Sequence, residues 1–159
     1  MPLSADERKE IAAAFNAAME TIDHFVQVYC AKVGAPERFA LSVFDASGGG
    51  SSYLEGGDPE ARAIVEHQIR TADWGDRNFS ETARRKTRAA LRLGRDSGDV
   101  ARNAKELFQE GDAPNPGACL AEVNGKQICV AGSGLRGQED EAFALLTIEL
   151  LKRALTPPA

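Results

Sequence analysis

Apolar residues recur at steps of three and four from Ile11 to Val33: Ile11, Phe15, Ala18, Ile22, Phe25, Val26, Tyr29 and Val33. That period marks an N-terminal helix, within residues 1–34, with one face turned to a core. Ser4-Ala5-Asp6-Glu7 ahead of it forms a capping box, in which the hydroxyl and the Glu7 carboxylate satisfy orphan N–H groups. Gly34 and Pro36 stop the helix. A helix of this size spans about 45 Å at ~1.5 Å per residue, more than so small a domain is deep. Either it packs on a second subunit or it breaks near Ala17-Ala18 or Asp23.

The period then changes to two. Phe39-Ala-Leu-Ser-Val-Phe-Asp45 alternates as a strand does, and Ala46 to Gly50 turns the chain into a second strand, Ser51 to Glu55. Asp58 and Pro59 suit the N-cap and first position of a helix from Glu60 to about Trp74, with Ala61, Ile64, Val65, Ile69 and Ala72 on one face. Gly75 to Asn78 ends it, and Ser80-Glu81-Thr82 starts another helix that reaches Arg95. On that helix Arg84, Arg85, Arg88, Arg92 and Arg95 gather on one side, and Ala83, Thr87, Ala90 and Leu93 on the other. Lys86 falls with the apolar residues. A lysine there either snorkels to solvent or meets a carboxylate, because a lone buried charge costs several kcal/mol.

Beyond Gly98-Asp99 a further helix is expected over Val100 to Phe108, then a Pro/Gly loop from Gly111 to Gly117. Two apolar runs flank Asn124-Gly125, a hairpin signal because both turn positions need φ > 0. The second run ends in Ala131-Gly132-Ser133-Gly134, and a last helix follows from Asp140 to Leu155. Its apolar residues (Phe143, Leu145, Leu146, Ile148, Leu150, Leu151, Leu155) occupy more than one face, which calls for burial on both sides and hence a homodimer or larger assembly.

Composition narrows the class. The 159 residues suit one domain, and no apolar run nears the roughly 18 residues of a membrane span. A net charge of −5 argues against nucleic acid as a partner. The acidic start MPLSADERKEI is not a secretory signal. Cys30, Cys119 and Cys129 are odd in number and in no metal spacing, which fits reduced thiols and a cytoplasmic setting.

Four short stretches, in order, resemble the GlcG/HbpS family of haem-binding proteins. They are Val43-Phe-Asp45-Ala46-Ser-Gly48, Lys86-Thr-Arg-Ala-Ala90 with Gly94-Arg95, Val130-Ala-Gly-Ser133-Gly134, and Asp140-Glu141-x-x-Ala144. The resemblance implies a profilin-like α+β fold, an antiparallel sheet with helices on its faces, and assembly into dimers or larger. It also implies a small-molecule ligand, haem or another planar carboxylate-bearing compound. Two stretches depart from the family pattern. Residues 58–80 are about a helix longer than expected and contain His67 and Trp74, and the family's G-G-V-P survives only as Pro116-Gly117-Ala118-Cys119.

Haem iron needs an axial ligand, most often His or Cys. His24 lies opposite the apolar stripe, whereas His67, near Thr71 and two helical turns from Trp74, is the candidate metal ligand. Trp74 could stack on a ligand, and Arg95 comes with the family's G-R. The Gly132-Ser133-Gly134 turn could offer N–H groups to a carboxylate, although Glu139, Asp140 and Glu141 at the next helix start would oppose an anion. The family fold would bring the Asp45 turn, Lys86 and the Ser133-Gly134 turn together, with Asp45 the expected partner of Lys86. Two functions stay open: a binding module without turnover, or a small enzyme acting on an organic acid through Lys86 and Asp45 as an acid/base or electrostatic pair.

Overall fold

The computed structural model describes residues 2–48 and 62–157. Helix α1 (Ala5–Val33) runs unbroken for 29 residues, and its capping box forms as expected between Ser4 and Glu7. It buries Ile11, Phe15, Met19, Ile22, Val26 and Cys30, a face displaced slightly from the expected stripe, so that Phe25 and Val33 stand about half exposed. Gly34 ends the helix in the left-handed conformation, at φ 71°.

Strands β1 (Phe39–Asp45) and β2 (Ala63–Ile69) follow. β2 corrects the expected helix over Glu60–Trp74: its residues pair antiparallel with β1, Phe39 opposite Ile69 and Leu41 opposite His67. Ala63-Ile64-Val65 is a run rich in β-branched residues that suits a pleated surface, and pairing with β1 outweighs the helical spacing of its apolar positions. The strand expected over Ser51–Glu55 and the cap at Asp58-Pro59 lie outside the described residues.

Helix α2 (Phe79–Leu93) is capped by Asn78 and closed by Gly94. The short α3 (Ser97–Asn103) and a 3-10 turn (Lys105–Leu107) replace the single helix expected over Val100–Phe108. β3 (Ala118–Val123) and β4 (Lys126–Ser133) form the expected hairpin, with Asn124 and Gly125 at φ 49° and 77°. Helix α4 (Gly137–Leu155) completes the chain.

The four strands form one antiparallel sheet in the order β2-β1-β4-β3. Alternation along β1 divides the core. Phe39, Leu41 and Val43 meet α1 and α4 on one face, while Phe44, Cys129 and Ala131 meet α2 on the other. Edge strand β3 is protected from one side: the Asp96 carboxylate accepts from Leu120 N–H and the Ser97 hydroxyl from Ala118 N–H. The fold is α+β.

Helix α4 is buried on one side only. Phe143, Ala144, Ile148 and Leu151 face the core, and Leu145 is nearly half exposed, so this helix does not itself demand a second subunit. The arginine face of α2 packs on the rest of the chain. Arg88 and Arg92 pair with the buried Asp112, and Arg85 donates to the carbonyls of Gly111 and Asp112, so this face clamps the loop after α3.

Candidate functional site

Lys86 sits where the apolar side of α2 meets the end of the sheet, and it is 2% exposed. Its ammonium donates to the carbonyl of Gly132 at 2.9 Å and to Asp140 Oδ2 at 2.8 Å. Asp140 belongs to the first turn of α4, is itself buried, and through Oδ1 accepts from Leu135 N–H at 2.9 Å. One carboxylate thus ties together α2, the loop after β4 and the start of α4. Burial raises the Asp140 carboxyl above its ordinary range, against the pull of Lys86 and the Leu135 N–H.

Two glycines make room for the lysine. Gly117 accepts from Gly132 N–H at 2.9 Å, at a φ of 140°. A Cβ on Gly117 would lie 2.5 Å from the Gly132 carbonyl oxygen and 2.8 Å from Lys86 Nζ. A Cβ on Gly132 would meet the Asp140 carbonyl and the Phe39 ring at 2.9 Å. Gly117, in the Pro116-Gly117-Ala118-Cys119 stretch, therefore has a physical task, which is to let the lysine side chain lie against the backbone.

Beside this pair is a polar cavity of about 220 Å³. Lys86, Asp140, Ser133 and Gly134 line it, and Gly137, the first residue of α4, closes one side. Arg77, Thr82 and Asn115 complete the wall. An ammonium has three donors, and two of those on Lys86 are taken, which leaves one for a ligand. Arg77 lies over the Phe79 ring, 4.8 Å from its centroid, and makes no ion pair with a described residue. With Lys86 and Asp140 offsetting each other, Arg77 leaves the cavity cationic. Such a site receives a small anion and fixes it by hydrogen bonds and charge.

Other expected members lie apart. Asp45 does not partner Lys86. It pairs across the sheet with Ile128, four residues along β4 from Gly132, hence about 13 Å away at ~3.3 Å per residue. There its carboxylate accepts from Leu3 N–H at 2.9 Å and Ser47 N–H at 2.8 Å, which anchors the entry to α1. Burial alone would raise the Asp45 carboxyl, but the Ser47 hydroxyl, these N–H groups and Arg8 together hold it below its ordinary value. The expected meeting of the Asp45 turn with the Ser133-Gly134 turn fails because the two occupy opposite ends of β1. Arg95 follows the Gly94 cap and pairs with Asp99 at 2.7 Å, about 13 Å along the helix from Lys86 at ~1.5 Å per residue.

His67 stands on β2, not on a helix, and faces α1, where its Nε2 is 2.7 Å from Asp23 Oδ1. It borders an open polar groove of about 380 Å³ that includes Glu20, Asp23, His24 and Glu37. No group of three metal-ligating side chains occurs among the described residues. Trp74 is buried, donates its indole N–H to the Ile69 carbonyl and meets Phe79 edge-on, so it offers no free face to a ligand from this groove. Cys119 and Cys129 are core residues, as expected, and burial pushes the Cys129 thiol up to about 12.

Of the expected site residues the structure brings together Lys86, expected as catalytic, and Gly132, Ser133 and Gly134, expected as ligand-binding. It adds Asp140, Arg77, Thr82 and Asn115. Asp140 lies within the D-E-x-x-A motif, and that motif was the available signal. Arg77, Thr82 and Asn115 sit in turns or on a polar helix face and carry no such mark.

No family model matches the sequence, and no curated protein matches it significantly. Solved structures do match the fold. A double mutant of HbpS from Streptomyces reticuli aligns over 99% of this chain and 89% of its own, at 16% identity and a TM-score of 0.54. ORFY from Klebsiella pneumoniae aligns over 85% of this chain and 88% of its own, at 13% identity and a TM-score of 0.56. PduOC, solved as a complex with haem, aligns over 94% of this chain and 95% of its own, at 13% identity and a TM-score of 0.54. At these identities the likeness is one of fold: this chain has the fold of HbpS, ORFY and PduOC.

Proposed function

We propose that this protein binds a small carboxylate-bearing molecule in the polar cavity between α2 and the start of α4. The observation that carries the reading is the buried Lys86–Asp140 pair with one lysine donor to spare, beside an Arg77 that pairs with no carboxylate among the described residues. At about 220 Å³ the cavity falls below the ~300–1,000 Å³ of pockets for drug-sized ligands, so it suits a few heavy atoms or one end of a longer molecule. Lys86 and Arg77 supply charge, and Ser133, Thr82 and Asn115 offer hydrogen-bonding groups around a carboxylate. The acid/base pair of Lys86 with Asp45 lacks its geometry, and the role left to Lys86 is to hold an anion. Titration with acetate and succinate, followed by amide shifts in NMR spectra, tests this. Saturable shifts at Gly134 and Leu135 are expected, with none at the His67 groove.

Haem is the second reading, favoured by the fold relative solved with it. The described residues fit it poorly. The Nε2 of His67 is held by Asp23, and the adjoining groove is polar and acidic, which opposes the carboxylates of a haem. A haem titration that gives a stoichiometric red-shifted Soret band, lost in His67→Ala, would establish this reading instead.

Assembly and setting belong to the same proposal. Phe25, Val28 and Val33 of α1 are about half exposed, which supports a homodimer or larger assembly through α1, to be checked by light scattering. Three buried, unpaired thiols support a cytoplasmic location. No helix among the described residues is long and apolar enough to cross a membrane.

A further inference from the structure

The loop between β4 and α4 separates two cavities of opposite character. Gly134 and Leu135 line the polar cavity with Lys86 and also line a second cavity of about 360 Å³. The second is walled by Val33, Gly34, Ala35 and Pro36 at the end of α1, with Arg136 and Glu139 at its rim. Its size falls within the range of organic-ligand pockets, and its α1 wall carries no charged side chain. We infer that the ligand is an amphipathic monocarboxylic acid, its carboxylate in the Lys86 cavity and its hydrocarbon body laid over Gly134-Leu135 into the cavity at the end of α1. This rests on the carboxylate reading above and adds the chemical class.

Charge sets the orientation. On the apolar side Arg136 is already neutralised by Glu139, which also accepts from the Tyr29 hydroxyl, so a carboxylate finds no unpaired cation there. On the polar side Arg77 has no ion-pair partner among the described residues and Lys86 has a donor left. The acid therefore enters head first towards Lys86, and a second carboxylate at its far end would meet Glu139. Gly134 suits the crossing. Its φ is 126°, and a Cβ would lie 2.7 Å from the Arg38 carbonyl oxygen, so only glycine lets the loop pack this closely on the start of β1.

The test is a binding series of acetate, butanoate, hexanoate and octanoate, with octanedioate as control, on the full chain and on Val33→Glu. Val33 is half exposed, so the substitution spares the fold. Affinity is expected to rise by up to about fourfold per methylene until the second cavity is filled. Octanedioate should bind more weakly than octanoate, and Val33→Glu should flatten the series. Acetate binding with no gain along the series, or a gain that Val33→Glu leaves intact, overturns this inference and spares the carboxylate reading. Failure of every acid, acetate included, overturns both.

Discussion

Lys86 Nζ and Asp140 Oδ2 lie 2.8 Å apart, with side-chain exposures of 2% and 3%, and stand 54 positions apart in the chain. Breaking one side of such a pair strands a charge, whereas replacing both sides together removes the desolvation cost with the attraction. Lys86→Met alone should therefore lower unfolding stability by about 3–5 kcal/mol, and Lys86→Met with Asp140→Leu should return to within about 1 kcal/mol of the parent. Urea unfolding of the three proteins checks this. Equal losses in the single and double variants would show that the pair is not the source.

Gly117→Ala tests the glycine slot. The new Cβ would crowd the Gly132 carbonyl and Lys86 Nζ, at a φ of 140° that alanine rarely adopts. Backbone strain of this kind costs about 1–3 kcal/mol, and overpacking adds a similar amount. Thermal unfolding should show a clear fall in the midpoint, with weaker acetate binding because Lys86 is displaced.

Asp45 should show itself through pH. Its folded-state carboxyl lies below the ordinary value, so its stabilisation is complete above the unfolded-state pKa of ~3.9 and is lost as pH falls through the folded value. The stability gap between the parent and Asp45→Asn should be full at pH 6 and should shrink progressively below about pH 4. A gap that is constant from pH 6 to pH 3 would contradict this assignment.

Much of this fold was legible from apolar spacing. Ile11 to Val33 marked α1, Asn124-Gly125 the hairpin, and its place among alanines set Lys86 apart from the arginine face, with snorkelling or a carboxylate partner left open. The partner of Lys86 was not legible. Asp45 was the expected partner, and only the β1–β4 register puts it about 13 Å away, at ~3.3 Å per strand residue, while Asp140 is in contact. β2 was misread because Ile64, Val65 and Ile69 fit a helical face as well as a strand, and a short apolar run does not separate the two. His67 moved with it, from a helix flank to a strand beside Asp23.

The His67–Asp23 contact leads to a spectroscopic expectation. With Nε2 committed to a carboxylate on α1, that nitrogen is not presented to iron. Added haem should give a sub-stoichiometric Soret change that is the same in the parent and in His67→Ala.

The central claim is that the cavity beside Lys86 holds a carboxylate, and the double variant Lys86→Met with Asp140→Leu tests it most directly. Acetate and hexanoate binding are measured by NMR titration on the parent and on this variant, whose fold is verified by its unfolding curve. The account requires binding in the parent and at least a tenfold loss in the folded double variant. Undiminished binding in that variant would contradict it.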